Sequence, residues 1–268
     1  VVVDDASEDN TDEVVQKIKD PRLKYIKLPR NMGPAFARNV GIVNSEGEFI
    51  ALLDSDDYFL PEKIEKQVSI LKANSRIGLV YCDVFLETNE GMIYRQMPRL
   101  KGYVYKNLLM FNFVYTPTLI FRKNLAMQVR MFDEAKKYGD DIKFVISMAR
   151  ITEFDYVPEP LCVINRKTSN IRLTLKRKEA LESLIKVTEE MKSEIIRELG
   201  KETILLRYNR IAWNMYEIGD KRGAIKCLLL SFISTKNIKE LLKALSIPLG
   251  IYEKYMKLKY PPEKLEEF

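Results

Sequence analysis

The chain has 268 residues, 46% of them hydrophobic and 31% charged, so it can bury a core and is not a disordered polypeptide. It contains no histidine, which excludes His-based catalytic triads, His metal ligands and imidazole bases. The net charge of +6 comes without a basic cluster interleaved with aromatic residues, so no nucleic-acid partner is expected. Three widely spaced cysteines with no CxxC pair favour reduced thiols in a cytoplasmic protein.

Strands and helices alternate over the first 90 residues. Strands are predicted at 1–3, 23–28, 48–53 and 77–85. The helices between them are predicted to begin at Asn10 or Thr11, at Pro34 and at Pro61, and TNEG at 88–91 is typical of a hairpin turn. This alternation predicts an α/β fold with a mostly parallel sheet flanked by helices.

The later sequence divides into a mixed and a helical part. GYVYKNLLMFN and DDIKFVISMARI are predicted helices, PTLIFRK is a predicted strand, and EFDYVPEPLCVINR carries one or two more strands. The chain is therefore divided into an α/β domain at 1–172 and an all-helical C-terminal region at 173–268. LLRYNRIAWNMYEIGDKRGAIKCLLLSF is similar to one tetratricopeptide unit. The basic segment LLKALSIPLGIYEKYMKLKY is interpreted either as a packed helix or as a helix on a membrane surface.

Two groups of acidic residues follow predicted strands. Asp4 and Asp5 end the first, and Asp54, Asp56 and Asp57 follow the apolar run from Phe49 to Leu53. Ligands of α/β sheets bind beyond the carboxyl ends of strands, so both groups are expected at one site. Residues two apart in an extended segment face the same side, and paired carboxylates suit Mg²⁺ or Mn²⁺. A solvated turn that caps the next helix explains the second group equally well.

The order and spacing of these motifs resemble a known family. VVVDDAS, NMGPAFARNVGI, EGEFIALLDSDDYFLPEKIEKQ, LVYCDV, NFVYTPTLIFRK and GDDIKF with YVPEPL, together spanning residues 1 to about 170, resemble the inverting glycosyltransferases of family 2. The resemblance implies a Rossmann-like GT-A fold, and transfer of a sugar from a UDP- or GDP-sugar to an acceptor hydroxyl with inversion. It also implies help from Mg²⁺ or Mn²⁺, and a role in polysaccharide, glycolipid or glycan biosynthesis.

The acceptor is then a glycan or a lipid-linked glycan. The basic tail favours the lipid-linked form, with peripheral association at the inner face of a membrane.

The resemblance also assigns roles to residues on the donor side. Asp5 closes the VDD motif and is implied to contact the nucleotide base, while Asp54 lies near the ribose. Asp56 is the implied metal ligand. The residues of the GxxxARN helix that flanks the nucleotide pocket are Gly33, Arg38 and Asn39. For Arg38, a plain surface ion pair is the alternative.

The acidic pair at 140–141 corresponds to the family's catalytic acids. Asp141 is implied to be the general base that takes a proton from the acceptor hydroxyl, although acids at a helix start are also favourable by charge alone. The pair is commonly Glu-Asp-Trp, whereas Ile142 follows it here. Where relatives carry a histidine segment, this chain has Arg166 and Lys167, facing either the diphosphate or solvent.

The family's first strand does not appear in the sequence, so the natural N-terminus is expected upstream and donor binding is expected to be impaired without it. These departures leave a rival hypothesis, a catalytically inactive nucleotide-sugar-binding protein that acts as a scaffold through its helical tail.

Overall fold

The computed structural model describes residues 1–135, 139–167 and 170–259. Within these ranges the chain forms two compact units. The first comprises 1–108 with 112–167, and the second comprises 109–111 with 170–259. The division into domains at 172/173 stays a prediction, and that point lies inside the long helix that begins the helical part of the second unit.

The first unit begins with β1 (Val2–Asp4), α1 (Thr11–Gln16), β2 (Tyr25–Lys27) and α2 (Pro34–Asn44). β1 and β2 pair in parallel as a two-stranded sheet. Helix α2 begins at Pro34 as predicted, because proline at the first helical position lacks an amide that would have no intrahelical partner there. Gly33 precedes it with φ of 90°, a backbone conformation that favours glycine.

The remaining elements of this unit build a six-stranded sheet and its helices. They are β3 (Phe49–Ala51), β4 (Tyr58–Phe59), α3 (Lys63–Ala73), β5 (Ile77–Thr88), β6 (Gly91–Arg95), α4 (Tyr105–Met110), a 3₁₀ turn (Thr116–Thr118), β7 (Ile120–Arg122), α5 (Lys123–Gln128), α6 (Asp140–Ala149) and β8 (Glu153–Asn165). The last residues of α4 belong to the second unit.

The α/β fold class is confirmed, but the prediction of a mostly parallel sheet is wrong. The strand order is β3-β7-β5-β8-β4, with β6 paired to β5 through the predicted hairpin. In this sheet β5 and β8 run parallel, and the other pairings of the described strands are antiparallel. β7 lies between β3 and β5 and is antiparallel to both, so β3 and β5 run in the same direction but do not pair with each other. Alternating strands and helices indicate strand direction, but they do not determine which strands are neighbours.

The long strands β5 and β8 form the centre of the sheet. Residues 77–84 of β5 are all buried, and Leu79, Val80 and Tyr81 are fully shielded from solvent. Such a near-continuous apolar run is typical of a strand covered on both faces. β3 and β4 lie at the two ends of the strand order, so the segment that contains the acidic residues 54–57 crosses from one side of the sheet to the other.

The second unit is helical in its described part, as predicted. Its helices are α7 (Asn170–Leu199), α8 (Lys201–Glu217), α9 (Lys221–Thr235), α10 (Ile238–Ser246) and α11 (Tyr252–Lys259). Gly219 turns the chain between α8 and α9, and the Asp220 carboxylate caps α9 by accepting a hydrogen bond from the Gly223 amide at 2.9 Å. Among the described helices, none combines the length and the apolar character that crossing a bilayer demands.

A buried polar triad fixes α10 against α8. The Lys243 ammonium donates to Glu240 at 2.6 Å and to the side-chain oxygen of Asn209, and the Asn209 amide donates to the other Glu240 oxygen at 2.6 Å. All three residues are at least 95% shielded from solvent. A buried charge is tolerated when it is paired and hydrogen-bonded, so the triad depends on each of its members.

Removing the Lys243 ammonium should therefore weaken the second unit. We expect Lys243→Met to lower the free energy of unfolding by about 3–5 kcal/mol, because it leaves the Glu240 carboxylate buried without its cation. The single tryptophan, Trp213 on α8, lies in this unit, so denaturant unfolding followed by its fluorescence reports the change. Lys239→Met, at an exposed position on the same helix, is the control and should cost little. Equal stability of the two variants would contradict the role of the triad.

Candidate active site

The acidic turn, residues Asp54 to Asp57, connects β3 to β4. The Asp57 amide donates to the Asp54 carbonyl at 3.1 Å and closes the turn. The Asp57 carboxylate accepts a hydrogen bond from the Asn165 amide at 2.9 Å, which ties the turn to the end of β8. Asp56 is exposed and accepts no hydrogen bond from the described residues. The turn does not cap α3, whose N-cap position is Glu62.

The negative charges of this turn act on one another. Burial raises the pKa of Asp57, and the charges of Asp56 and Asp54 raise it further against the opposing hydrogen bond from Asn165. Like charges held this close disfavour full ionisation unless a cation compensates them. The turn is therefore suited to receive positive charge.

Arg38 joins the acidic turn to the start of α6. Its guanidinium donates from Nη2 to Asp54 at 2.9 Å and from Nη1 to Asp140 at 3.2 Å, and it lies 5.6 Å from the centre of the Phe132 ring. The Arg38 side chain is 17% exposed and that of Asp140 only 6%, so water screens this ion pair poorly. Arg38 therefore does not form a plain surface ion pair, because it bridges two carboxylates and is largely buried.

The two acids at the start of α6 have perturbed protonation. Burial raises the pKa of Asp140 although Arg38 opposes it. Burial also raises the pKa of the half-buried Asp141, and the charge of Asp140 raises it further. A carboxylate with a raised pKa accepts a proton more readily, which is the property required of a general base.

Asp5 lies at the start of α2. Its carboxylate accepts hydrogen bonds from the amides of Met32 at 2.6 Å and Gly33 at 2.8 Å, so it fixes the loop from which α2 starts. Arg38 follows Gly33 by about 7 Å along the helix axis, at a rise of about 1.5 Å per residue. Helix α2 and the loop before it thus carry the contacts to both predicted acid groups.

Asn39 faces away from these acids. Its amide nitrogen donates to the Phe132 carbonyl at 2.9 Å and to Glu134 at 2.8 Å, and its oxygen accepts from the Phe132 amide at 3.0 Å. The buried Asn39 therefore holds the segment that places the Phe132 ring against Arg38. The predicted role of Asn39 beside the nucleotide pocket stays a prediction.

The cations after YVPEPL differ in their surroundings. Lys167 pairs with Glu87 on β5 at 2.7 Å. Arg166 is exposed, and its charge lowers the pKa of Asp57 slightly against the stronger effect of burial. Sequence reasoning missed the contact of Asn165 with Asp57, which no local pattern indicates, as well as the roles of Phe132 and Glu134.

The acidic turn by itself does not form a complete metal site. No cluster of three or more Asp, Glu or Cys side chains suited to a metal ion occurs among the residues that the structure describes. Mg²⁺, however, is often held by one or two carboxylates together with substrate phosphates. On the acidic turn, Asp56 is exposed, and Asp54 is 41% exposed with one oxygen engaged by Arg38.

Comparisons with known sequences identify a family model and several relatives that match this chain. The family model described as "Glycosyl transferase family 2" matches residues 1–135, just over half of the chain. The succinoglycan biosynthesis protein ExoO of Rhizobium meliloti (strain 1021) is 35% identical over 153 residues, which cover 53% of this chain and 44% of ExoO. The uncharacterized glycosyltransferase MJ1057 of Methanocaldococcus jannaschii is 27% identical over 169 residues, 59% of this chain and 57% of that protein. The chain spans about half the length of these relatives.

Solved structures share the fold. S. aureus TarS 1–349, in complex with UDP-GlcNAc, aligns with 97% of this chain and 83% of its own at a TM-score of 0.60 and 16% identity. The mannosyltransferase PcManGT from Pyrobaculum calidifontis was solved in complex with GDP-Man and Mn²⁺. Its alignment covers 96% of this chain and 72% of the PcManGT chain, with a TM-score of 0.56 and 17% sequence identity. The fold is therefore of the GT-A glycosyltransferase type. With the match to the family model over residues 1–135, the chain belongs to glycosyl transferase family 2.

Proposed function

We propose that the protein is an inverting glycosyltransferase that moves a sugar from a UDP- or GDP-sugar to an acceptor hydroxyl with the help of a divalent metal ion. The observation that carries this proposal is the bridge by which Arg38 joins Asp54 to Asp140, the neighbour of Asp141. The nucleotide sugars bound to TarS and PcManGT support the donor class. The name of ExoO, a succinoglycan biosynthesis protein, supports a polysaccharide product. The acceptor in this proposal is a glycan or a lipid-linked glycan in the cytoplasm.

The donor binds along α2 and the acidic turn in this proposal. Asp5 and Gly33 lie at the nucleotide end, and Asp54 lies near the ribose. Asp56, with Asp54, would hold Mg²⁺ or Mn²⁺ together with the diphosphate oxygens. When bound, such an ion offsets the charge of the leaving diphosphate.

Asp141 acts on the acceptor. The acceptor oxygen bonds to the anomeric carbon from the face opposite the diphosphate, and the bond from that carbon to the diphosphate oxygen breaks. The leaving nucleoside diphosphate keeps the electron pair, and Asp141 takes the hydroxyl proton. Arg38 lowers the pKa of Asp140 and of Asp141, so it limits the rise that burial imposes on these acids.

Loss of the base should abolish turnover but not donor binding. We expect Asp141→Asn to reduce sugar transfer by about 10²–10⁴-fold, because an amide cannot accept the proton. The measurement is release of UDP or GDP across a panel of nucleotide sugars and acceptors with Mn²⁺, together with calorimetric binding of the donor. Asp155→Asn is a matched control, since the Asp155 carboxylate also accepts from the next amide in the chain. A wild-type chain that binds donor and never turns it over would favour the scaffold hypothesis.

The pH dependence should shift when Asp140 loses its charge. The base works deprotonated, so transfer falls as pH drops through the raised pKa of Asp141. Asp140→Asn removes a negative neighbour and frees Arg38, and both changes lower that pKa. We therefore expect the acidic limb of the kcat/KM profile to move down by about one pH unit. An unmoved limb would mean that another group sets it.

Nucleotide binding should depend on metal through Asp56. A ligand that prefers the folded state raises the melting temperature, so UDP or GDP should stabilise the wild-type chain more in Mn²⁺ than in EDTA. Asp56→Asn should lose the increment due to Mn²⁺ while the nucleotide effect in EDTA persists. Glu46→Gln, at an exposed acid before β3, should retain both. An unchanged Mn²⁺ increment in Asp56→Asn would exclude Asp56 as a ligand.

A further inference from the structure

The positive charge of the protein is concentrated in its last described helices. Residues 221–259 contain nine Lys or Arg and two Glu, whereas all other residues together contain 35 Lys or Arg against 36 Asp or Glu. One of the two acids, Glu240, is buried with Lys243 and adds nothing to the surface. The exposed basic residues of this segment form no ion pair with the described residues; they are Lys221, Arg222, Lys226, Lys236, Lys239 and Lys254.

The same segment exposes an apolar stripe. Ile238, Leu242, Leu245 and Leu249 follow one another at spacings of four, three and four residues, which places the first three on one face of α10 with Leu249 in the turn after it. Their exposed fractions are 57%, 60%, 56% and 71%. We call these four residues the α10 stripe.

The opposite face of α10 is already occupied. Glu240, Lys243 and Ala244 are buried there, and the triad with Asn209 fixes that face against α8. The helix therefore cannot turn to bury the α10 stripe without breaking a buried ion pair. A helix on the surface of a soluble unit normally presents polar residues outward, whereas α10 presents leucine and isoleucine.

We propose that the α10 stripe, with the exposed basic residues of 221–254, is a docking surface for an anionic lipid bilayer. An apolar face flanked by Lys and Arg is the combination that lies in a bilayer interface, where leucine enters the acyl boundary and lysine meets anionic headgroups. A second copy of the chain fits less well, because two surfaces of the same positive sign repel one another. The proposal does not depend on the catalytic assignment.

Vesicle co-sedimentation of the full chain tests the surface. We expect binding to phosphatidylcholine vesicles that contain about 30% phosphatidylglycerol, and little binding to pure phosphatidylcholine. About 0.5 M NaCl should weaken it, because salt screens the headgroup charge. The double variant Lys236→Glu with Lys239→Glu should lower the partition coefficient about thirtyfold or more. Each basic residue near the membrane contributes about 1 kcal/mol, and about 1.4 kcal/mol corresponds to a tenfold change.

The α10 stripe has its own variant and control. Leu242→Ser with Leu245→Ser should reduce binding by about tenfold or more, because the acyl boundary no longer receives two leucines. Leu206→Ser, at a 44%-exposed leucine on α8, should bind as the wild type does. Trp213 fluorescence and thermal melts verify that the variants are folded.

Three results would each overturn the proposal. The first is a wild-type chain that does not bind anionic vesicles, and the second is an α10 stripe variant that binds them unchanged. The third is a dimer seen by sedimentation equilibrium that Leu242→Ser with Leu245→Ser dissociates, which would assign the stripe to contact between copies.

Discussion

A single guanidinium group sets the arrangement of the candidate active site. Arg38 bonds to Asp54, 16 residues further along the chain, and to Asp140, 102 residues further. Without this cation, the acidic turn and the start of α6 would present several carboxylates to one another with no charge between them. Because the bridge is partly buried, both its attraction and the cost of breaking it are larger than for an exposed pair.

Helix α2 makes that bridge rigid. Its start is fixed by the Asp5 carboxylate on the amides of residues 32 and 33, and its next turns are fixed by Asn39 on the segment at 132–134. Arg38 lies between these two anchors, with the Phe132 ring against it. The helix therefore couples the end proposed for the nucleotide to the acids proposed for the metal and the acceptor. A displacement of α2 would disturb all of them together.

The local features of this site could be predicted from the sequence, and its long-range contacts could not. Pro34 predicted the start of α2, the apolar run of 48–53 predicted a strand before the acids, and TNEG predicted the β5–β6 hairpin. The position of β7 between β3 and β5 and the contact of Asn165 with Asp57 involve residues tens of positions apart, which leave no periodicity in one sequence. The motif that includes Arg38 indicated a pocket residue, but its double ion pair depends on how α6 packs.

Each unit contains a buried ion pair: Arg38 compensates Asp140 in the first, and Lys243 compensates Glu240 in the second. Asp56 on the acidic turn, and Lys236 and Lys239 beside the α10 stripe, are exposed charges that form no ion pair with the described residues. Exposed charge that the fold does not need for its own stability is free to meet a ligand of opposite sign. We therefore infer that the acidic turn binds a cation and that the C-terminal helices bind an anionic surface. Each inference rests on the contacts of its own unit.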